Sequence, residues 1–201
     1  MDAQALSAAG SRYYTLRGLL MVPEGFLLVA AGLLNMPPLG NEPVSGSAGW
    51  FVVALTLAIV GYVGFNRYYV TTFGRVKPSR STLVRITIYT VPFAALVSVA
   101  ITLDSQLDLP VTLFGAAYGV SLLVYYRLLE VLRPHHGVLL GGLAVLSLAP
   151  IWGAAHDKVY LAMIPIGLVT VAVGIFDHRD LVASLRDARS ARVDEVVHDR
   201  P

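Results

Sequence analysis

The stretch GWFVVALTLAIVGYVGFN, from Gly49 to Asn66, decides the fold because its 18 residues include no charge. An α-helix rises about 1.5 Å per residue, so this stretch reaches roughly 27 Å, close to the thickness of a hydrocarbon core. A basic residue, Arg67, follows at once. The stretch therefore predicts a helix that spans a membrane.

The whole chain has the composition of a membrane protein. Of its 201 residues, 56% are hydrophobic and only 14% are charged, and the mean hydropathy is +0.67. Too little polar surface remains to cover a soluble domain. The net charge of only +2 argues against direct nucleic-acid binding, and the short basic clusters fit anionic lipids. The absence of Cys excludes disulfides and cysteine nucleophiles.

Six apolar stretches alternate with short polar segments. They cover residues 16–36, 49–66, 86–103, 109–129, 138–155 and 159–176. The predicted fold is all-α, a polytopic membrane bundle of six transmembrane helices over 1–176, followed by a cytoplasmic C-terminal helical tail over 177–201. Pro23 and Glu24 are untypical of a signal peptide, so the first helix is expected to be retained; cleavage near Ser47 and Ala48 is the alternative.

The basic residues lie on one side of this topology. Of the 15 Lys and Arg residues, all but Lys158 fall near the amino terminus, between helices two and three, at the end of helix four or just after it, or in the tail. Short loops rich in Lys and Arg stay in the cytoplasm. Both termini are therefore expected to be cytoplasmic.

The cytoplasmic segments predict a basic face that binds anionic lipid or a partner. Its candidate residues are Arg67, Arg75, Lys77, Arg80, Arg133, Arg179 and Arg186. In the tail, Leu181, Val182, Leu185 and Ala188 form an apolar stripe. This stripe docks on the bundle, lies along the membrane or receives a partner.

Glu24 is the most informative single side chain, because it lies about 12 Å into the first predicted helix, near the middle of a core of roughly 30 Å. An acid at this depth costs about 2.5 to 3.5 kcal/mol on insertion scales, so it should face the bundle interior. Pro23 beside it predicts a bend. The hydroxyls at comparable depth belong to Tyr118, Ser121, Ser147 and Thr170. Glu24 is either a protonatable or ligand-binding site among them, or a neutral acid bonded to a neighbouring helix.

Three histidines lie near the expected cytoplasmic boundary. His135 and His136 follow Pro134, and His178 belongs to a polar collar, Asp177-His178-Arg179, at the end of helix six. Histidines from different helices can bind a metal or ligate haem, but this pair lies in a turn. A hydrated interfacial role is preferred, so no metal and no cofactor are predicted.

Gly115 and Gly119 in the fourth helix have the small-xxx-small spacing that lets helices approach closely. Packing within the chain is the expected use of this spacing, and a homodimer through it is the alternative. The sequence contains no phosphate-binding loop, dinucleotide fingerprint, zinc-protease motif or pair of intramembrane carboxylates. Nothing in it therefore specifically supports an enzyme.

Two short motifs resemble a group of small, uncharacterised bacterial six-span membrane proteins. They are Arg67-Tyr68-Tyr69 followed by Phe73-Gly74-Arg75-Val76, and Phe176-Asp177-His178-Arg179. Some members of that group look like membrane partners of cytoplasmic winged-helix transcription regulators. The resemblance implies a bacterial plasma-membrane location and a sensor or sequestering role, and it carries over no functional residue.

Two functions from different classes fit these observations. The leading hypothesis is a non-enzymatic sensor or membrane anchor, whose bundle detects a hydrophobic ligand or membrane state and whose basic face binds a cytoplasmic regulatory protein. The alternative is a small transporter or channel in which Glu24 handles a proton or cation. The Pro23-Glu24-Gly25 interruption favours that alternative, but it has no evident counterpart in a second helix.

Overall fold

The computed structural model describes residues 13, 16–35, 47–74, 80–150 and 158–198, and their side chains except at 47–48, 81–82 and 187–198. Within these ranges the regular structure consists of a short 3-10 turn, Gly18–Leu20, and six α-helices. The helices are α1 Val22–Leu34, α2 Ser47–Phe73, α3 Arg80–Gln106, α4 Leu113–Leu128, α5 Pro134–Ser147 and α6 Lys158–His198. The all-α prediction is confirmed.

Three of these helices are long and apolar enough to cross a membrane. The spans lie in α2, α3 and α6, over Gly49–Phe73, Leu83–Gln106 and Lys158–Arg186. Gly18–Leu34 and Leu113–Leu128 are apolar but shorter. α5 has only 14 residues, or about 21 Å of helix. The long helices indicate a membrane protein, whereas the crossing of α1, α4 and α5 stays a prediction.

Prolines explain why several helix ends differ from the apolar stretches. The first stretch begins at residue 16, but α1 begins at Val22 with Pro23 in its first turn, where the missing N–H costs little. Pro23 therefore starts a helix instead of bending one. α4 begins beyond Pro110, and α5 begins at Pro134 and ends before Pro150, so neither matches its predicted stretch.

Helices α1 and α6 run antiparallel and share the most extensive helix contact in the described ranges. Glycines two turns apart bring the two backbones together. The facing pairs are Gly18 with Gly174, Gly25 with Gly167, and Gly32 with Tyr160. A Cβ on Gly25 would lie 2.6 Å from the Gly167 carbonyl oxygen. Only glycine therefore permits this approach.

Buried side chains of the described residues form two cores. The larger one lies between α4, α5 and α6 and includes Tyr118, Leu140 and Ile166. The smaller one joins residues near the start of α1, the end of α2 and the continuation of α6. Large apolar side chains such as Trp50 and Val91 are exposed on α2 and α3. Extensive exposed apolar surface of this kind is typical of contact with a membrane.

Replacement of Gly25 by Ala tests the contact between α1 and α6. Gly25→Ala is expected to destabilise the protein by about 1–3 kcal/mol, because the added Cβ overlaps the backbone of α6. Thermal unfolding in detergent should show a lower Tm than for the wild type. Gly64→Ala is the matched control, since a Cβ there meets nothing within 4 Å. Equal Tm values for the two variants would contradict the helix register.

Candidate polar site at the tail end of the bundle

A fully buried carboxylate, Asp177, lies on α6 where this helix leaves the bundle and continues as the tail; we call this the tail end. The Tyr126 hydroxyl on α4 donates to Asp177 Oδ2 at 2.9 Å. The Nε2 atoms of His136 and His135 on α5 lie 2.7 and 3.0 Å from Asp177 Oδ1. These four side chains form the Asp177 cluster. Its polar contacts offset the cost of taking a carboxylate out of water.

The local sequence fixes the two histidines at the start of α5. Pro134 lies in the first turn, directly after the N-cap residue Arg133. The Arg133 backbone N–H donates to His136 Nδ1 at 3.1 Å. The fully buried His136 ring stacks on Tyr126, with 3.8 Å between the ring centroids. Backbone and side-chain contacts together therefore set the direction of His136 Nε2.

The position of the His136 proton bears on whether the Asp177 cluster holds a metal. His135, His136 and Asp177 offer ligand atoms within 4.8 Å of one another. Because His136 Nδ1 accepts the Arg133 N–H, its proton is assigned to Nε2, which donates to Asp177. A metal-binding His needs the lone pair of the ligating nitrogen, and its other nitrogen usually donates to an acceptor. These residues therefore fit a hydrogen-bonded cluster better than a metal centre.

His178 takes no part in the Asp177 cluster, although it follows Asp177 in the sequence. Its Nδ1 lies 3.1 Å from the Tyr69 hydroxyl of α2. The Tyr69 oxygen also accepts the backbone N–H of Leu19 at 3.2 Å. The Tyr69 proton is thus available for His178. This contact joins α2, α6 and the turn before α1.

Part of the tail stripe docks on the bundle itself. Leu181 is buried in the same small core as Tyr69 of α2, and Leu185 packs against that core. Val182 is exposed, and the side chain of Ala188 lies outside the described residues. The first turns of the tail are therefore held by the protein.

Tyr13 secures the amino-terminal segment to α2. Its hydroxyl donates to the Tyr69 carbonyl oxygen at 3.1 Å. Burial raises the pKa of the Tyr13 phenol above its ordinary value, and nearby Arg17 opposes this with a smaller effect. The phenol therefore keeps its proton at neutral pH. Arg17 itself lies over the Tyr69 ring and donates to the side-chain oxygen of Asn66.

Glu24 lies near mid-height but on the bundle surface. The glycine register places it level with Leu168, about 14 Å along the helix from Asp177 and about 15 Å from Lys158. The expectation that Glu24 faces the interior is wrong, because its side chain is exposed. The glycine face of α1 occupies the contact with α6, and a residue next to Gly25 points about 100° away. Among the described residues, none forms a hydrogen bond with Glu24.

Tyr118, Thr170 and Ser147 form their hydrogen bonds with groups other than Glu24. Tyr118 and Thr170 are both buried, and their hydroxyl oxygens lie 2.9 Å apart. Ser147 on α5 donates to the Leu143 carbonyl. Ser121 lines a pocket between α3 and α4. Hydroxyls at similar depth thus serve separate contacts.

Gly115 and Gly119 pack within the chain. A Cβ on Gly119 would lie 2.6 Å from the Leu140 carbonyl oxygen of α5, and one on Gly115 would overlap Ser147. Both glycines are buried in this contact. A homodimer through the same face would require α5 to move away.

The candidate basic residues are only partly brought together. Arg67, Arg80, Arg179 and Arg186 are exposed, whereas Arg75 and Lys77 lie outside the described residues. Arg133 forms an ion pair with Asp180 of α6 at 3.6 Å, with both side chains partly exposed. This pair links the start of α5 to the tail.

A second polar contact, at the end of the bundle opposite the tail, was not predicted. The buried Asp104 carboxylate accepts the backbone N–H groups of Leu113 and Phe114 at 2.9 and 2.7 Å, which caps α4. The Lys158 ammonium lies 3.9 Å from it and donates to the carbonyl oxygens of Leu107 and Leu109. In the sequence, Lys158 is the only basic residue in the predicted outer loops, and Asp104 lies at the same end of the bundle. Because 54 positions separate the two residues, the sequence alone does not pair them.

Asp177→Asn is expected to lower the free energy of unfolding by about 1–3 kcal/mol, because the amide keeps one acceptor oxygen and turns a donor toward another donor. The measurement is loss of helical circular dichroism during an SDS titration. Asp180→Asn is the matched control on the same helix, since its partly exposed ion pair contributes at most about 1 kcal/mol. An equal loss in both variants would argue that Asp177 is not a central contact.

Metal removal is expected to leave stability unchanged. Dialysis against EDTA should not shift the Tm, and equimolar zinc should not raise it, because a bound ion would stabilise the folded state by mass action. Thermal unfolding combined with elemental analysis checks both points. Stoichiometric zinc that disappears in His136→Ala would refute the proton assignment on His136.

The polar contacts at the tail end join helices that are distant in the sequence. Asp177 connects α6 to α4 and α5, and His178 connects α6 to α2. Such contacts can hold α6 in one position relative to its neighbours. No protein-family model, curated protein or solved structure matches this chain, so its function is inferred from these contacts.

Proposed function

We propose that this protein is a non-enzymatic membrane sensor or anchor whose tail-end surface binds a cytoplasmic regulatory protein. One observation carries the proposal: α6 continues as a single helix from Lys158 to His198, through Asp177, and its one internal proline, Pro165, lies on the far side of Asp177 from the tail. The part beyond Asp177 is about 30 Å long. A shift of α6 inside the bundle would therefore move a long cytoplasmic helix.

The Asp177 cluster gives this helix a fixed reference position. Asp177 lies on α6, whereas its partners Tyr126, His135 and His136 lie on α4 and α5. A state in which α6 slides or rotates must break these contacts, so it differs discretely from the bonded state. A ligand or membrane state that favours one position of α6 would increase the population of that position at the expense of the other.

The exposed charges at the tail end suit the proposed partner. Arg67 and Arg179 are exposed there, and Arg75 and Lys77 follow α2 in the sequence. A basic surface attracts anionic lipid headgroups and acidic protein surfaces. The resemblance to membrane partners of winged-helix regulators supports a protein partner for this basic surface. In this proposal DNA is contacted by the partner and not by this chain.

The six-span topology is part of the proposal. The chain alternates between two ends: α4 runs from the Asp104 contact to Tyr126, and α5 returns from His136. Lys158 and Asp177 on α6 are separated by about 28 Å of helix, close to a hydrocarbon thickness of about 30 Å. This alternation supports six crossings of a bacterial plasma membrane, with both termini in the cytoplasm.

Single cysteines test this topology, because the natural chain has none. Cysteines at Ser45 and Ser105 are expected to react with an impermeant maleimide added to intact cells. Cysteines at Ser79 and Ser190 should react only after the membrane is permeabilised. The reverse pattern would refute the orientation, and labelling of all four in intact cells would refute the spans.

Partner binding has a direct test with the full chain. Affinity capture from a cell extract should repeatedly yield one cytoplasmic protein, and the purified protein should bind the wild type saturably. Arg179→Glu should weaken this binding by about tenfold or more, because it reverses an exposed charge at the tail end. Asp108→Arg reverses an exposed charge near the other end and is the control. Repeated capture of no cytoplasmic protein would count against the proposal.

Transport through Glu24 is the second candidate, and its mid-height position favours it. An acid at this depth is typical of sites that handle protons or cations. Proteoliposomes with a pH-sensitive dye inside measure proton flux. Flux that is lost in Glu24→Gln with folding retained would favour transport. The absence of flux for protons and for each cation tested would favour the sensor.

A further inference from the structure

Glu24 is an exposed acid on the side of α1 that faces the larger core. Gly25, the next residue, marks the face of α1 that packs on α6. Met21 and Leu28, one turn before and one turn after Glu24, pack against the larger core. Residues three and four positions apart lie on the same side of a helix. The Glu24 side chain therefore lies at the edge of the surface that Met21 and Leu28 bury.

A cleft between α1 and α4 opens beside Glu24. Within the described ranges, α1 has extensive contacts with α2, with α6 and with the turn before it, but not with α4. Near the tail end the two helices approach, because the Tyr126 hydroxyl lies 3.3 Å from Met21 Sδ. One turn farther along α1, Glu24 interacts electrostatically with Tyr118 of α4, yet its side chain stays exposed. The Glu24 carboxyl is therefore reached from the side of the bundle.

The Glu24 carboxyl has no partner in the described part of the chain. None of the ion pairs there includes it, and none of the described groups forms a hydrogen bond with it. The hydroxyls across the cleft are already used, because Tyr118 pairs with Thr170, and Thr170 donates to the Ile166 carbonyl. An ionised carboxylate in hydrocarbon is too costly without a partner, so the resting group is the neutral acid. This acid has a proton to give, and no described side chain is placed to receive it.

We propose that Glu24 binds a lipophilic amine, a tertiary amine with an alkyl chain, that enters the cleft from the bilayer. The amine arrives in its neutral form. Its nitrogen binds the proton as the O–H bond of the Glu24 carboxyl breaks, which leaves an ammonium paired with a carboxylate. The pair carries no net charge and shares a charge-assisted hydrogen bond. The alkyl chain packs along Met21 and Leu28, which are only partly buried.

Charge complementarity selects this occupant. A lipid acyl chain or a fatty alcohol offers no base for the Glu24 proton. A hard metal ion takes several oxygen ligands, and the buried acid on α6, Asp177, is about 14 Å away along the helix. A lipophilic amine matches both the proton and the apolar surroundings.

This inference rests on the proposed sensor function and gives that sensor a ligand class. Met21 contacts the alkyl chain of the amine on one side, and its sulfur contacts Tyr126 on the other. The same Tyr126 hydroxyl donates to Asp177. A ligand at Glu24 therefore lies one side chain away from the Asp177 cluster. The path from the ligand to the tail runs from α1 through α4 to α6.

Photolabelling of the full chain in phosphatidylcholine nanodiscs tests the site. The probe is a tertiary alkylamine with a diazirine in its chain, dimethyldecylamine is the competitor, and decanol is the matched competitor without a base. Labelling should saturate, give adducts on α1 and α4, and yield to dimethyldecylamine but not to decanol. Glu24→Gln should weaken binding at least about tenfold, because an amide cannot protonate the amine. Asp108→Asn, which changes an exposed acid near the other end, should leave binding unchanged.

Infrared difference spectroscopy follows the proton itself. Saturating dimethyldecylamine should remove a protonated-carboxyl band from the wild type, and Glu24→Gln should show no such change. This variant should keep the wild-type Tm, because the Glu24 side chain is exposed and no described group forms a hydrogen bond with it.

Four results would each overturn the proposal. Labelling could rise linearly with probe concentration, decanol could compete as well as the amine, Glu24→Gln could bind like the wild type, or the carboxyl band could persist at saturating amine. A disulfide between two copies of Glu24→Cys would also overturn it, because a second copy would then cover the site. Partner binding is measured without any amine, so failure of this site and failure of the sensor proposal are distinguishable.

Discussion

The hydrogen bonds to the buried Asp177 carboxylate are the constraint on which the tail end depends. A carboxylate without partners in this position would cost several kcal/mol. The Asp177 carboxylate offsets that cost through contacts with three side chains on two other helices, Tyr126, His135 and His136. Since these partners lie on different helices and His136 is held by the Arg133 backbone N–H, the carboxylate is satisfied in one arrangement of α4, α5 and α6. The polar site therefore sets helix position.

The glycine contact between α1 and α6 complements this polar site. It brings two backbones together over several turns, so α6 is held along its length by α1 and at its tail end by Asp177. Leu181 and Leu185 extend the packing past the bundle. The first turns of the tail are therefore docked, and they set the direction in which the rest of α6 continues. A binding surface on it would be oriented by the membrane part of the chain.

Hydropathy predicted six helices and their order, because each apolar stretch is bounded by charges or prolines. It placed several ends wrongly, since α4 begins only after Pro110 and α5 ends before Pro150, both inside stretches that remain apolar. It found the histidine pair but not its acceptor, because only the tertiary fold brings Asp177 to His136 across 41 positions. The direction of Glu24 was missed for a related reason: helical phase depends on the face that the glycines occupy. The sequence thus identifies residues with useful chemistry, but only the folded structure shows which residues they contact.

Transmission from α4 to the tail is the central claim, and hydrogen exchange measures it most directly. Amide exchange of the full chain in nanodiscs is compared between the wild type and Tyr126→Phe, which removes one donor to Asp177. Faster exchange in α6 beyond Asp177, together with the start of α5, is the predicted result. Faster exchange confined to α4, with the tail unchanged, would contradict the coupling.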